Sequence, residues 1–133
     1  LSRYPQRWAG GLAQAAIADW RLMYEDEPEP LRAYQRQLFG GTPAETPAAH
    51  HLASPIDHIA ALRAPLLIVQ GRNDPDCPPR QMQQYEAALR DHGKAAQVVW
   101  VDAGYSASAA EAGIEALALM LDFATRLLPG GQL

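Results

Sequence analysis

The residues best placed to do chemistry lie in one short stretch, APLLIVQGRNDPDCPP, from Ala64 to Pro79. An apolar run, Leu66 to Val69, stops at Gly71, and Asp74 follows three residues later. Pro78 and Pro79 then open a helical pattern. That order reads as a buried strand, a tight turn, a carboxylate at the strand's carboxyl end and a helix start. In open α/β sheets, ligands and chemistry gather at the carboxyl ends of the strands. The plainer reading of Asp74 is a turn or N-cap aspartate, which Asp favours for its own hydrogen bonds.

Other chemistry-bearing residues weigh less. Cys77 has no base beside it in sequence and reads as a buried, inert thiol. His50 and His51 are adjacent, so on a helix they point in different directions. Two ligands on one helix face need i, i+4 spacing, and the pair reads as solvated. Asn73, Asp74 and Asp76 form an oxygen-rich loop, but the glycine and glutamate of an EF-hand are missing. The Gly pairs at 10–11, 40–41 and 130–131 lack the spacing and the strand–helix context of a phosphate loop. No cofactor and no metal is expected. Tyr105 reads from its neighbours as an ordinary loop tyrosine whose hydroxyl could donate to a ligand carbonyl.

The elements that must position Asp74 can be read from periodicity. Residues 12–18, LAQAAIA, form a short apolar run taken as a strand, although alanine is a poor strand former. EDEPEP, residues 25–30, reads as an exposed loop. Leu31, Tyr34 and Leu38 recur at helical spacing, and Gly40-Gly41 stop that helix. Thr42-Pro43-Ala44-Glu45 has the form of a capping box starting a short helix to about His51. Ser54-Pro55 starts a further turn with Ile56, Ile59 and Leu62 on one face. Strands are expected at 66–70 and 96–101. Met82, Tyr85 and Leu89 mark the helix between them, which Gly93 ends. Ser108 and Glu111 form a second capping box. The stripe Ile114, Leu117, Leu121 and Leu128 then reads as core packing of a long final helix. Strands alternating with helices imply a parallel sheet.

Composition bounds the function classes. The chain has 133 residues, 48% hydrophobic and 20% charged, enough for one globular domain with a real core. A net charge of −4 leaves no basic footprint for nucleic acid or an acidic membrane surface. No apolar run approaches the ~18 residues of a membrane span, and no signal peptide is visible. The single cysteine says little about compartment; a cytoplasmic setting is favoured. The opening LSRYPQRWAG, without an initiator Met, looks like the middle of a larger protein.

Three features carry a family resemblance: YPQRWAG…ADW near the start, LFGGTPAET…SPIDHI in the middle, and APLLIVQGRNDPDCPPRQMQQYEAALRDHGKAAQVVWVDAG. Together they resemble the C-terminal half of the catalytic α/β-hydrolase domain of the prolyl oligopeptidase family, nearest its acylaminoacyl-peptidase-like branch. The resemblance covers nearly the whole chain. It implies one three-layer α/β-hydrolase fragment over residues 1–133, with about three parallel strands flanked by helices.

The resemblance also implies a catalytic constellation, of which this chain keeps one member. The family's serine sits on a GxSxG elbow, and none of Ser2, Ser54, Ser106 or Ser108 is flanked that way,. Asp74 falls on the family's triad aspartate. The family's histidine follows the last strand in a D-E-G-H-like loop; here the run is Asp102-Ala103-Gly104-Tyr105, so Tyr105 takes its place. A phenol of pKa near ~10 is protonated at neutral pH and replaces an imidazole of pKa near ~6.5 poorly as a base. Loss of a triad member costs on the order of 10⁴ to 10⁶ in turnover. His50, His51 and His58, in the region read as a cap, and His92, at a helix end, do not fill in. Trp20 keeps a claim as a pocket wall, since in relatives that region lies near the substrate.

Two functions follow. One is a serine peptidase or acyl hydrolase fragment with Asp74 as triad acid, inactive by itself, acting on peptide or acyl substrates when joined to its N-terminal half. The other is a non-catalytic pseudoenzyme serving as a binding or interaction module. With the first strand lacking a neighbour, self-association through an open sheet edge is a further expectation.

Overall fold

A computed structural model describes residues 1–102 and 110–128. Three strands, β1 (Gly11–Gln14), β2 (Leu66–Gly71) and β3 (Ala96–Val101), form a parallel sheet in the order β1-β2-β3. Gly11 pairs with Leu66, and Leu66 with Ala96. β2, all six residues of it buried, is the centre. A run of β-branched and leucine side chains between two neighbours is what a fully buried parallel strand requires.

The helices are α1 (Trp20–Asp26), α2 (Glu29–Phe39), α3 (Pro47–Ala53), a 3₁₀ helix (Pro55–Ala61), α4 (Pro79–Asp91) and α5 (Ala110–Leu127). Leu66 and Ile68 on one face of β2 meet Met82, Tyr85 and Leu89 of α4, with Ile59 and Leu62 of the 3₁₀ helix and Ala18. Leu67 and Val69 are also buried and by alternation point to the opposite face, where α5 contacts β2. The architecture is therefore an α/β fragment with helices on both faces of a parallel sheet.

Four expectations need correction. The first strand ends at Gln14, not at residue 18. Ala15 has a positive φ of 47°, which breaks the extended chain, and Ala16–Ala18 turn into α1. EDEPEP is no free loop: residues 25–26 end α1 and residues 29–30 begin α2, and Glu27 between them is buried. The Thr42–Glu45 capping box does form, with Glu45 Oε2 accepting from Thr42 N at 2.8 Å, but it closes only a turn. The helix begins at Pro47, where proline's fixed φ suits a first turn,. Finally, Ile114, Leu117, Leu121 and Leu128 are exposed, while Ala116 is buried. The Ser108–Glu111 box reaches outside the described residues.

Candidate active site

β2 delivers Asp74 to the carboxyl end of the sheet. Arg72 N donates to Val101 O at 2.9 Å, the last rung between β2 and β3, and the chain then turns. Asp74 is 3% exposed. Its Oδ1 accepts from Asp76 N at 3.0 Å and Cys77 N at 2.8 Å, the side-chain-to-backbone turn that Asp makes readily. Its Oδ2 is buried and finds no donor among the described residues. One carboxylate oxygen is thus spent on the loop, and the other is left without a partner among the described residues.

The loop is braced from three sides. Gln70, fully buried, donates from Nε2 to Cys77 O at 3.0 Å. The Cys77 thiol donates to Ala15 O at 3.2 Å, which ties the Asp74 loop to the strained end of β1. Gln81 on α4 donates to Ala16 O at 2.9 Å and accepts from Ala18 N at 2.7 Å. Burial, then the charges of Asp74, Asp76 and Glu27, push the Cys77 thiol up to about 11, so it is an inert group here.

Trp20 begins α1 beside this edge. Asp19 caps the helix, its Oδ1 accepting from Arg21 N at 2.9 Å. Arg21 joins Asp19 at 3.0 Å to Asp57 at 2.9 Å, and His51 reaches Asp57 at 3.0 Å. Burial alone would raise the Asp19 carboxyl; the hydrogen bonds and charge of Arg21 outweigh it and hold the group below its ordinary value. Trp20 packs edge-on to Phe39 at 5.1 Å, and Phe39 lies against His50 at 4.3 Å between centroids. Ser54 Oγ accepts from Trp20 N and donates to His50 O, and Gln35 Nε2 donates to Trp20 O.

The histidines fall in three places. His50 is fully buried, which corrects the solvated pair expected of it, because α3 turns this face toward Phe39. His51 is exposed and stacks edge-on at 5.3 Å against half-buried His58, and His92 caps α4 with Nδ1 2.9 Å from Ala88 O. Tyr105 lies outside the described residues. Among the described residues no three His, Cys, Asp or Glu side chains gather as metal ligands, and no helix is long and apolar enough to cross a membrane.

The residues that sequence reading passed over are the buried amides Gln35, Gln70 and Gln81 and the acid Glu27. Gln81 carried a signal: it sits beside Met82 and four residues before Tyr85, on the buried face of α4. Gln70 closes an otherwise apolar strand. Burial raises the Glu27 carboxyl, with the charge of Arg32 opposing.

The fold has relatives. The chain is similar to the acylaminoacyl peptidase of Pyrococcus horikoshii, at 21% identity with a TM-score of 0.83, over 95% of this chain and 21% of that one. It is similar to a puromycin-hydrolyzing peptidase of Mycobacterium tuberculosis, at 24% identity with a TM-score of 0.78, over 90% of this chain and 18% of that one. A curated relative, the uncharacterized peptidase YtmA of Bacillus subtilis, is 30% identical over 66 residues, 50% of this chain and 25% of its own length. The chain therefore spans about a quarter or less of the length of these relatives. The sequence profile of the prolyl oligopeptidase family matches residues 1–130. With that match over a parallel α/β fold of the same kind, the chain belongs to the prolyl oligopeptidase family of serine peptidases.

Proposed function

We propose that residues 1–133 are the C-terminal part of a single α/β-hydrolase catalytic domain acting on peptide or acyl substrates, with Asp74 in the position of the triad acid. The observation that carries this reading is the division of labour in the Asp74 carboxylate. Oδ1 is held by two backbone N–H groups, while buried Oδ2 has no donor among the described residues. A buried carboxylate oxygen without a donor is costly, and an imidazole N–H is the donor that triad chemistry supplies. Tyr105 stands in sequence at the histidine's place, and no serine of the chain lies on a GxSxG elbow. The 133 residues by themselves then lack both nucleophile and base.

The chain alone is expected to give no turnover of p-nitrophenyl acetate or an aminoacyl-naphthylamide, and no labelling by a fluorophosphonate. Stoichiometric labelling at one serine, with turnover lost on its mutation, would overturn the reading. The second arm joins the chain to an elbow-bearing N-terminal half. There Tyr105→His is expected to raise ester turnover at least ~100-fold, and Asp74→Asn to remove most of that gain by favouring the wrong tautomer. A histidine variant that folds yet is no faster places neither Asp74 nor Tyr105 in a triad.

A further inference from the structure

Two histidines away from the Asp74 loop have their protons assigned by their neighbours. His51, in α3, places Nδ1 3.0 Å from Asp57 Oδ2. His58, in the 3₁₀ helix, places Nε2 3.1 Å from His51 O and 3.2 Å from Leu52 O. Carboxylate and carbonyl oxygens only accept, so each of these ring nitrogens is the N–H. In a neutral imidazole the other nitrogen then carries a lone pair: Nε2 of His51 and Nδ1 of His58. The two rings stand edge-on with their centroids 5.3 Å apart.

An imidazole whose second nitrogen donates to an oxygen is arranged as a metal ligand is. The outer acceptor, a carboxylate or a backbone carbonyl, fixes the tautomer and raises the basicity of the free nitrogen. One such histidine is ordinary at a surface; two at a common distance form a chelate. The spacing selects the ion. With a metal–nitrogen bond of about 2.0–2.1 Å, each ring centre lies roughly 3.2 Å from the ion, and a tetrahedral angle sets two centres roughly 5.2 Å apart. A right angle, as in square-planar copper or nickel sites, would bring them to roughly 4.5 Å. The observed 5.3 Å fits the tetrahedral ion. Asp57 is held by Arg21 at 2.9 Å, so it serves as an outer partner and not as a ligand. Asp57 and His58 also line a surface cleft of about 270 Å³, which has room for water on the ion. His92 is the contrast: its Nδ1 also faces a carbonyl, Ala88 O, but it has no imidazole neighbour among the described residues.

We propose that His51 and His58 together bind one zinc ion, through Nε2 of His51 and Nδ1 of His58, with water in the remaining tetrahedral positions. Zinc takes imidazole nitrogen readily and has no geometric demand that the pair would violate. The ion fastens α3 to the 3₁₀ helix. Through Asp57 and Arg21 it is linked to Asp19, the cap of α1. The site does not rest on the role of Asp74.

The test is calorimetric titration of zinc chloride into the 133-residue chain near neutral pH, with the imidazole nitrogens followed by long-range proton–nitrogen correlation. One zinc per chain is expected, and the thermal midpoint should rise with zinc concentration, since the ion binds the folded chain. The nitrogen signals of His51 Nε2 and His58 Nδ1 should both move to metal-bound positions in the parent chain. His51→Ala should weaken binding at least ~10-fold, because loss of even an outer partner commonly costs that much. His58→Gln should do the same while its amide still donates to His51 O and Leu52 O, which keeps the local fold. His92→Ala should bind as the parent does. No zinc taken up below ~1 mM, about the weakest end of specific binding, would overturn the proposal. So would binding that survives either His51→Ala or His58→Gln, or a zinc shift confined to one ring.

Discussion

The two faces of the sheet are built from similar materials and end differently. α4 presents Met82, Tyr85 and Leu89 at three–four spacing, and all three are buried, because β2, the 3₁₀ helix and Ala18 close over them. α5 presents Ile114, Leu117 and Leu121 at the same spacing, and all three face outward. Spacing identifies an apolar face but not what covers it. The difference lies in the surroundings: β2, the 3₁₀ helix and Ala18 meet the α4 stripe, while the described residues leave the outer side of α5 uncovered.

The comparison can be broken most directly by truncation on each face. Met82→Ala is expected to cost about 3 kcal/mol in urea unfolding, the usual range for a fully buried long side chain,. Leu121→Ala, at an exposed position, should stay within about 0.5 kcal/mol. Equal losses would mean that α5 is as well covered as α4. A middle-sized effect belongs to Asp19, whose cap joins α1 to the 3₁₀ helix through Arg21 and Asp57. Asp19→Ala should cost about 1 to 2 kcal/mol at pH 7. The folded carboxyl is held low, so the charge-dependent part of this contribution is present above the unfolded value near ~3.9 and disappears as pH falls through the folded one. The difference between the two proteins should therefore shrink in acid.

The smallest effect has the opposite sign. Burial, opposed by Arg32, raises the Glu27 carboxyl, so its ionisation works against the fold as pH rises above the unfolded value near ~4.3. Glu27→Gln should match the parent near pH 4 and be more stable at pH 8. A variant less stable at pH 8 would show that the carboxylate has a partner worth more than its burial costs.

Much of the fold was legible because the two long strands and α4 are locally consistent. The run Leu66–Val69 could only be buried on both faces, and Pro79, Met82 and Gly93 mark the start, the face and the end of one helix. α1 escaped notice because its signal is a single cap, Asp19, hidden behind an alanine-rich run that resembles a weak strand. Ala15 ends that strand by adopting a left-handed φ, which no periodicity announces. The position of Asp74 could be read from a turn after an apolar run. The brace around it could not, because Gln70, Gln81 and Cys77 meet Cys77 O, Ala16 O, Ala18 N and Ala15 O, backbone atoms that carry no sequence identity. His50 was misread for the opposite reason: its side chain is polar, yet its ring packs as an aromatic against Phe39.

The parallel sheet also sets the order in which the molecule can assemble. β1 must find β2 across roughly fifty residues, and β3 must find it across about twenty-five, so every strand contact is distant in sequence and the entropy of closing those loops precedes any gain from pairing. The shorter closure, with α4 as its own crossover, is expected to come first. β1 docks last, and the strained turn at Ala15 closes only once Cys77 and Gln81 are there to hold it. During synthesis β1 waits for its partner until Gly71 has been made, and for the groups that hold its end until Cys77 and Gln81 follow. The search for β2, more than the strength of the finished core, governs how quickly it escapes aggregation.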